Sequence, residues 1–363
     1  MFVLKSIYMA TSSGFKKFLR IVLFFIAAVL LFVAGFLSWQ TIREFDPEPV
    51  IAIPVTGQAT FVPDTLTASI YNIGYCGLGA EMDFFYEGGT MARPEKALLE
   101  KYENAVIERL RGFSDNDFIL LQEVDTLAKR SWHSNQLAKI SDSFPEYDIW
   151  FALNYKSWVP MPVTNPMGKV RAGLATMSAH MPAEVERIAF KSGYSWPMSL
   201  FMLKRCFLVS RYKTSYGNDF VLVNTHNSAF SDAAEIRKTE LAQLKELMET
   251  EYSKGNFVLI GGDWNQNPPD FDTTLLLPHY LPKVIEPPIP DDYLPDGWLY
   301  VYDPLHSTNR NVEIPYTAGI TQTTLIDFFV TSPNIELISV KTTDTGFAES
   351  DHQPVTIKFV LRK

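Results

Sequence analysis

The stretch Phe257-Val258-Leu259-Ile260-Gly261-Gly262-Asp263-Trp264-Asn265 decides how this chain is read. Four apolar residues make a buried strand, two glycines let its end approach other groups closely, and a polar cluster follows. Asp263 and Asn265 are two apart, so on extended backbone both side chains face one way and Trp264 packs to the other. Five further clusters occupy similar settings: Tyr71-Asn72-Ile73, Gln122-Glu123-Val124, Asn224-Thr225-His226, Ile326-Asp327-Phe328 and Ser350-Asp351-His352. Taken singly, such tripeptides are common. As a set, rich in Asp, Asn, Glu and His at the ends of hydrophobic runs, they describe one site assembled from distant loops.

The hydrophobic runs predict strands over 66–72, 118–123, 147–153, 172–177, 257–260, 325–330, 335–340 and 355–360. The runs 206–212 and 220–224 read as a hairpin, with Tyr216-Gly217-Asn218-Asp219 supplying turn residues. Helices are predicted over 94–111, 132–140 and 233–252; the last is amphipathic, with Ile236, Leu241, Leu244 and Leu247 inward. Many strands with few helices imply two packed, mostly mixed sheets flanked by helices, an α/β protein. Residues 268–320 hold many prolines and no long periodic segment, and read as an excursion on the same domain. Cys76 and Cys206 form no metal-ligand spacing; two buried thiols are expected, a single bridge being the alternative.

The N-terminus bears on location. Ile21 to Trp39 is an apolar run that spans about 28 Å as a helix, close to the hydrocarbon thickness of a bilayer. Lys5, Lys16, Lys17 and Arg20 precede it, making residues 1–20 a basic cytoplasmic segment, 21–39 a transmembrane anchor and 40–64 a Pro-rich stalk. The expectation is a single-pass protein of the cell membrane with its 65–363 domain on the extracytoplasmic side. A cleaved signal peptide is the competing reading, disfavoured by the length of the run and the lack of a clear cleavage site. All 41 acidic residues but only 28 of the 32 basic residues lie beyond Arg20, so the exported part carries a net charge of −13. With no Lys/Arg run there, a long nucleic acid is a less favoured partner.

The ordered set of six clusters resembles the endonuclease/exonuclease/phosphatase superfamily, the metal-dependent phosphoesterases related to DNase I. The resemblance implies a four-layer α/β/β/α sandwich over roughly residues 65 to 363, acting on a phosphate ester with Mg²⁺, Mn²⁺ being the alternative. It further implies that Glu123 of the Gln-Glu-Val motif is the principal metal ligand, with Asn72 and Asp351 supporting the metal. By the same resemblance Asp263 orients or deprotonates the attacking water, Asn265 and His226 contact phosphate, and Asp327 fixes His352 as its carboxylate partner. The chain departs from many relatives before Asp327, where Leu325-Ile326-Asp327-Phe328 replaces Arg-Ile-Asp-Tyr. Lys169, Arg171 and Arg310 read as phosphate contacts or, equally, as solvated surface.

Ile149-Trp150-Phe151, Tyr155, Trp158 through Pro162 and Tyr194 through Met198 concentrate aromatic and methionine residues. They read as core strands or, alternatively, as an apolar lip near lipid. The favoured function is a monomeric, membrane-anchored phosphodiesterase acting on a lipid headgroup. The alternatives are a DNase I-like nuclease and a non-catalytic binding protein on the same fold.

Overall fold

The computed structural model describes residues 2–229, 234–269, 271 and 287–362, with side chains from residue 14 onward. The chain divides into two compact units, Met1–Phe45 and Asp46–Lys363. The first is one helix, α1 (Phe2–Ile42). Its Gly14–Ile42 portion contains an 18-residue window of mean hydropathy 2.9 and is long and apolar enough to cross a membrane. The helix is longer than the run 21–39, because no proline interrupts the chain before Pro47 and the basic residues continue the same helix.

The second unit contains, in chain order, β1 (Val50–Ala52), β2 (Phe61–Val62), β3 (Thr65–Asn72), α2 (Lys96–Arg111), β4 (Phe118–Asp125), α3 (Gln136–Ser143), β5 (Asp148–Val159), β6 (Gly168–Ser178), β7 (Glu184–Ala189), β8 (Cys206–Thr214), β9 (Asp219–His226), α4 (Ala234–Ser253), β10 (Phe257–Asp263), β11 (Leu299–Val301), β12 (Asn309–Arg310), β13 (Thr323–Thr324), β14 (Asp327–Thr331), β15 (Ile335–Thr342) and β16 (Val355–Leu361). One sheet runs β1-β7-β8-β9-β10-β14-β11, with β2 pairing to β8; the second runs β15-β16-β3-β4-β6-β5. Both are mixed: β3 pairs parallel with β4, and β9 with β10, while most neighbours are antiparallel.

Alternation within continuous apolar runs builds the layers. Leu66, Ala68 and Ile70 of β3, Phe118 and Leu120 of β4, Phe220 and Leu222 of β9, and Phe257 and Leu259 of β10 meet between the sheets. The intervening Ile119 and Leu121 face α2 and α3, packing on Leu99, Val106, Leu110 and Ile140. Val221, Val223, Val258 and Ile260 face α4 through Leu241, Leu244 and Met248. Strands buried on both faces read as unbroken apolar runs for this reason. The result is a four-layer α/β/β/α sandwich.

Several boundaries differ from the sequence reading. The short helix expected over 132–140 starts at Gln136, where Asn135 accepts a hydrogen bond from the Ala138 N–H (3.3 Å) and caps it. Within the segment read as a stalk, β1 pairs with β7 and β2 with β8, so parts of 40–64 are docked on the sheet. β7 was not anticipated. The excursion at 268–320 lies partly outside the described residues; its described part supplies β11 and β12. Cys76 and Cys206 are buried free thiols.

Phe220 lies at the centre of the inter-sheet layer, its ring 5.6 Å from that of Phe118, 5.8 Å from Phe359 and 6.1 Å from Tyr212. Phe220→Ala is expected to destabilise the protein by about 3–5 kcal/mol, the range for deleting a buried aromatic ring. Ile338→Thr, at an exposed position on β15, should change stability by less than about 0.5 kcal/mol. Chemical-denaturation midpoints of the two variants check the contrast.

Candidate active site

The sheets present the candidate site residues at one shared edge. Asp263, the last residue of β10, is in register with His226 at the end of β9 and with Asp327 at the start of β14. On the other sheet, Asn72 at the end of β3 lies opposite Gln122 of β4. The glycines before Asp263 are required by close approach. A Cβ at Gly261 would lie 2.5 Å from the Phe329 ring and 2.8 Å from Ile70 of the facing sheet, and one at Gly262 would lie 2.0 Å from the Thr225 carbonyl oxygen.

Glu123 is aimed by a β-bulge. Leu121 pairs with Ala175 and Val124 with Gly173, so Gln122 and Glu123 together oppose one residue of β6. Glu123 adopts φ 57°, and Asn265 likewise adopts φ 53°. Left-handed backbone at a non-glycine residue carries strain, and two candidate site residues bear it. Asp351 arrives on the loop before β16, tight against the turn after β3, where a Cβ at Gly74 would lie 2.6 Å from its Oδ1.

Hydrogen bonds join the two halves. The Asn72 amide nitrogen donates to Asp263 Oδ2 (3.0 Å), and its oxygen accepts the Gly74 N–H (3.0 Å). One step deeper, Gln122 Nε2 donates to Asn224 Oδ1 (2.8 Å), and Asn224 Nδ2 returns a bond to the Ala175 carbonyl (3.0 Å). His352 Nδ1 lies 2.8 Å from Asp327 Oδ2, while its Nε2 is 3.7 Å from Asp263 Oδ2 and 3.0 Å from Asn309 Nδ2. Asn265 Nδ2 donates to the Asn227 carbonyl (2.8 Å), leaving one N–H and the carboxamide oxygen.

The two histidines carry opposite electrostatics. Burial opposes a charge on His352, but the carboxylates of Asp327, Asp263 and Asp351 outweigh it and hold the imidazole well above its usual value. Burial pulls His226 well below its usual value, and the Arg205 guanidinium adds to the effect. His226 is therefore neutral at neutral pH. Its Nε2 is 3.4 Å from Asp263 Oδ2, and its buried Nδ1 has no hydrogen-bond partner among the described residues. Asp263 is raised by burial and by the charge of Asp327, against the pull of His352. Burial, opposed by His352 and reinforced by Glu123, lifts Asp351 to about 6.

This carboxylate-rich set fits a hard divalent cation. Four acidic side chains converge, Asp327 Oδ1 is buried without a partner among the described residues, and burial raises Asp263 and Asp351, so a cation that compensates their charge is favoured there. Ligand atoms of Asp263, Asp327 and His352 also lie within 4.8 Å of one another. The 2.8 Å Asp327–His352 contact instead gives that pair the geometry of a carboxylate orienting an imidazole.

Glu123, His226, Asp263, Asn265, Asn309, Asp351 and His352 line one cleft of about 850 Å³, and Asn72 and Asp327 are not among its lining residues. Sequence reasoning missed three contributors. Arg130 is 5% exposed, binds Asp125 through Nε and Nη2 (3.1 and 3.0 Å), stacks 3.7 Å over the Tyr75 ring and sits 3.9 Å from Glu123 Oε2. The signal was the Asp-x-x-x-x-Arg spacing after Gln-Glu-Val, which gives no warning that the turn folds back. Asn309 comes from the Pro-rich excursion and Arg205 from the start of β8; neither carries a local signature. Arg310 is not a phosphate contact: it is buried and donates to the carbonyls of Leu78, Gly79 and Met82. Lys169 and Arg171 are exposed.

Known proteins agree with this architecture. An endonuclease/exonuclease/phosphatase from Beutenbergia cavernae superposes with a TM-score of 0.56 at 16% identity, covering 83% of this chain and 72% of its own. ANGEL2, a 2',3'-cyclic phosphatase, gives 0.52 at 16% identity, over 81% of this chain and 95% of its own. D. rerio TDP2, solved with a single-strand DNA product, gives 0.50 at 14% identity, over 82% and 99%. No curated protein sequence matches significantly. The sequence matches the profile of the Endonuclease/Exonuclease/phosphatase family over residues 71–352, most of its length, and the chain belongs to that family.

Proposed function

We propose that the protein is a membrane-anchored, exported, Mg²⁺-dependent phosphoesterase whose substrate is a phosphodiester presented by a membrane lipid. The observation that carries the reading is the Asp327–His352–Asp263 arrangement facing Glu123 and Asp351 across one cleft. Members of the family act on phosphate esters and are generally dependent on divalent metals. Glu123 and Asp351 would hold the ion, with Asn72 behind them. When bound, it supplies Lewis-acid neutralisation of the phosphoryl oxygens.

The chain's own residues account for the rest. Asp263, buried and raised, serves as the base that orients and deprotonates water, because a carboxyl lifted toward neutral pH is the better proton acceptor. His352, held cationic by Asp327, neutralises charge developing on the phosphoryl group. Neutral His226 and the carboxamide of Asn265 offer hydrogen bonds to a phosphoryl oxygen. Arg130 counterbalances Glu123 and keeps the bulge in place through Asp125. The lipid assignment rests on the opposite wall of the cleft, which is apolar, and on the anchor helix. Arg130 and Arg205 are the lysine or arginine residues lining the cleft among the described residues, a poor track for a polynucleotide backbone.

Four outcomes are expected. EDTA should abolish hydrolysis of bis(p-nitrophenyl) phosphate by the full chain, and Mg²⁺ or Mn²⁺ should restore it. Apparent metal affinity, measured by titration at several pH values, should fall as pH drops through about 6, where Asp351 takes up a proton; metal-independent turnover contradicts the mechanism. His352→Ala and Asp263→Asn should each lower turnover by roughly a hundred-fold or more with the fold intact by circular dichroism. Near-normal rates in either would show that the site is misassigned. Arg130→Ala should weaken metal dependence as well as turnover, with partial recovery in Arg130→Lys, which keeps the charge but not the bidentate geometry.

A further inference from the structure

The cleft has a second face that phosphoryl chemistry does not use. Beyond His226 its wall is apolar, formed by Tyr155, Val159, Met161, Met198, Phe201 and Leu203. Two segments build it, the end of β5 with its connection to β6 and the stretch 194–203. They are fastened together where Ser157 Oγ donates to the Leu200 carbonyl (2.6 Å) and Tyr155 Oη to the Phe201 carbonyl (2.8 Å). At the mouth Met198 (50% exposed) and Met161 (44%) run out into solvent, and Trp196 (59%) and Val163 (79%), each two residues along the chain from one of them, are exposed as well. An apolar rim continuous with a cleft marks an interaction surface rather than unfinished core.

The chain itself indicates what covers this rim. Asp46 and Pro47 share a depression of about 190 Å³ with Tyr194, Ser199, Met202 and the basic Lys191 and Lys204. The Pro49 carbonyl accepts the Ala189 N–H (2.7 Å), and β1 continues the contact by pairing with β7. The polypeptide therefore enters the domain beside the 194–203 segment. Asp46 is four residues after Ile42, the end of the apolar helix, a reach of at most about 14 Å. Tryptophan and methionine exposed at the rim match the chemistry of a bilayer interface.

We propose that the rim at Met161–Val163 and Trp196–Met198 docks on the bilayer that holds α1, and that the apolar wall receives the hydrocarbon part of a lipid whose phosphodiester reaches Glu123 and His352. The proposal rests on the anchored-phosphoesterase reading and specifies how its substrate arrives. A flexible methionine-rich wall adapts to chains of varied length.

The test uses the full chain reconstituted in vesicles of phosphatidylcholine and phosphatidylglycerol. Cys76 and Cys206 are buried, so a polarity-sensitive fluorophore can be attached at Val163→Cys, with Ile338→Cys on β15, at the opposite edge of the same sheet from β5, as control. The Val163 probe should shift to the blue and be quenched by spin-labelled lipid, and the Ile338 probe should not. Equal quenching at both positions, or none at Val163, overturns the docking. In parallel, the double variant Val163→Ser/Trp196→Ser should lose roughly tenfold or more of its turnover on the vesicle phospholipid and keep its turnover of bis(p-nitrophenyl) phosphate. Unchanged lipid turnover overturns the rim's role. A wild-type chain inactive on both substrates refutes the phosphoesterase reading instead, while the quenching result still decides the docking.

Discussion

The hydrogen bond from Asn72 to Asp263 is the constraint on which the rest of the site depends. It joins residues 191 positions apart, one from each sheet, and it is buried. Asn72 holds the sheet that carries Glu123, with Asp351 and His352 on its β16 loop, against Asp263 and Asp327 of the other sheet, and the Gln122–Asn224 pair repeats the cross-link one step deeper. Buried polar groups are costly unless satisfied, so these contacts fix the spacing of the sheets at the edge where chemistry would occur. The inter-sheet core does the converse: it is apolar and undirected, supplying adhesion without alignment. The glycines at 261 and 262 are what allow the two to coexist at the same strand end.

Electrostatics then divides the labour. Asp263 lies between two imidazoles that the fold treats in opposite ways, His352 held as a cation by three carboxylates and His226 kept neutral by burial and Arg205. A histidine's ordinary titration near neutrality is removed from both. The remaining imbalance is negative charge, concentrated where the bulged strand delivers Glu123 beside Asp351. The left-handed backbone at Glu123 and Asn265 shows that these two side chains are placed against local preference, which the packing of both sheets must sustain.

Much of this was legible in the chain. Runs such as 118–123 and 257–260 announce strands buried on both faces, and the polar residue ending each run locates the shared edge. That is why the layered fold and the gathering of Asn72, Glu123, His226, Asp263, Asp327 and His352 could be anticipated. Features set by tertiary context could not. Arg130 becomes part of the site because a short turn swings it back onto Tyr75 and Asp125, and Asn309 because an irregular segment happens to pair beside His352. β1 and β2 are too short to show a period and are held by pairing alone. Within the aromatic stretch at 149–198, Trp150 and Tyr155 are buried as core residues, whereas Trp196 and Met198 are exposed.

We propose that Glu123 and Asp351 hold the metal beside the Asp263, Asp327 and His352 set. Anomalous diffraction from crystals of the full chain soaked in Mn²⁺ tests it most directly. One strong anomalous peak is expected within bonding distance of both Glu123 and Asp351, lost in crystals of Glu123→Gln. A peak seated instead among Asp263, Asp327 and His352, or no peak in the cleft at saturating Mn²⁺, would contradict it.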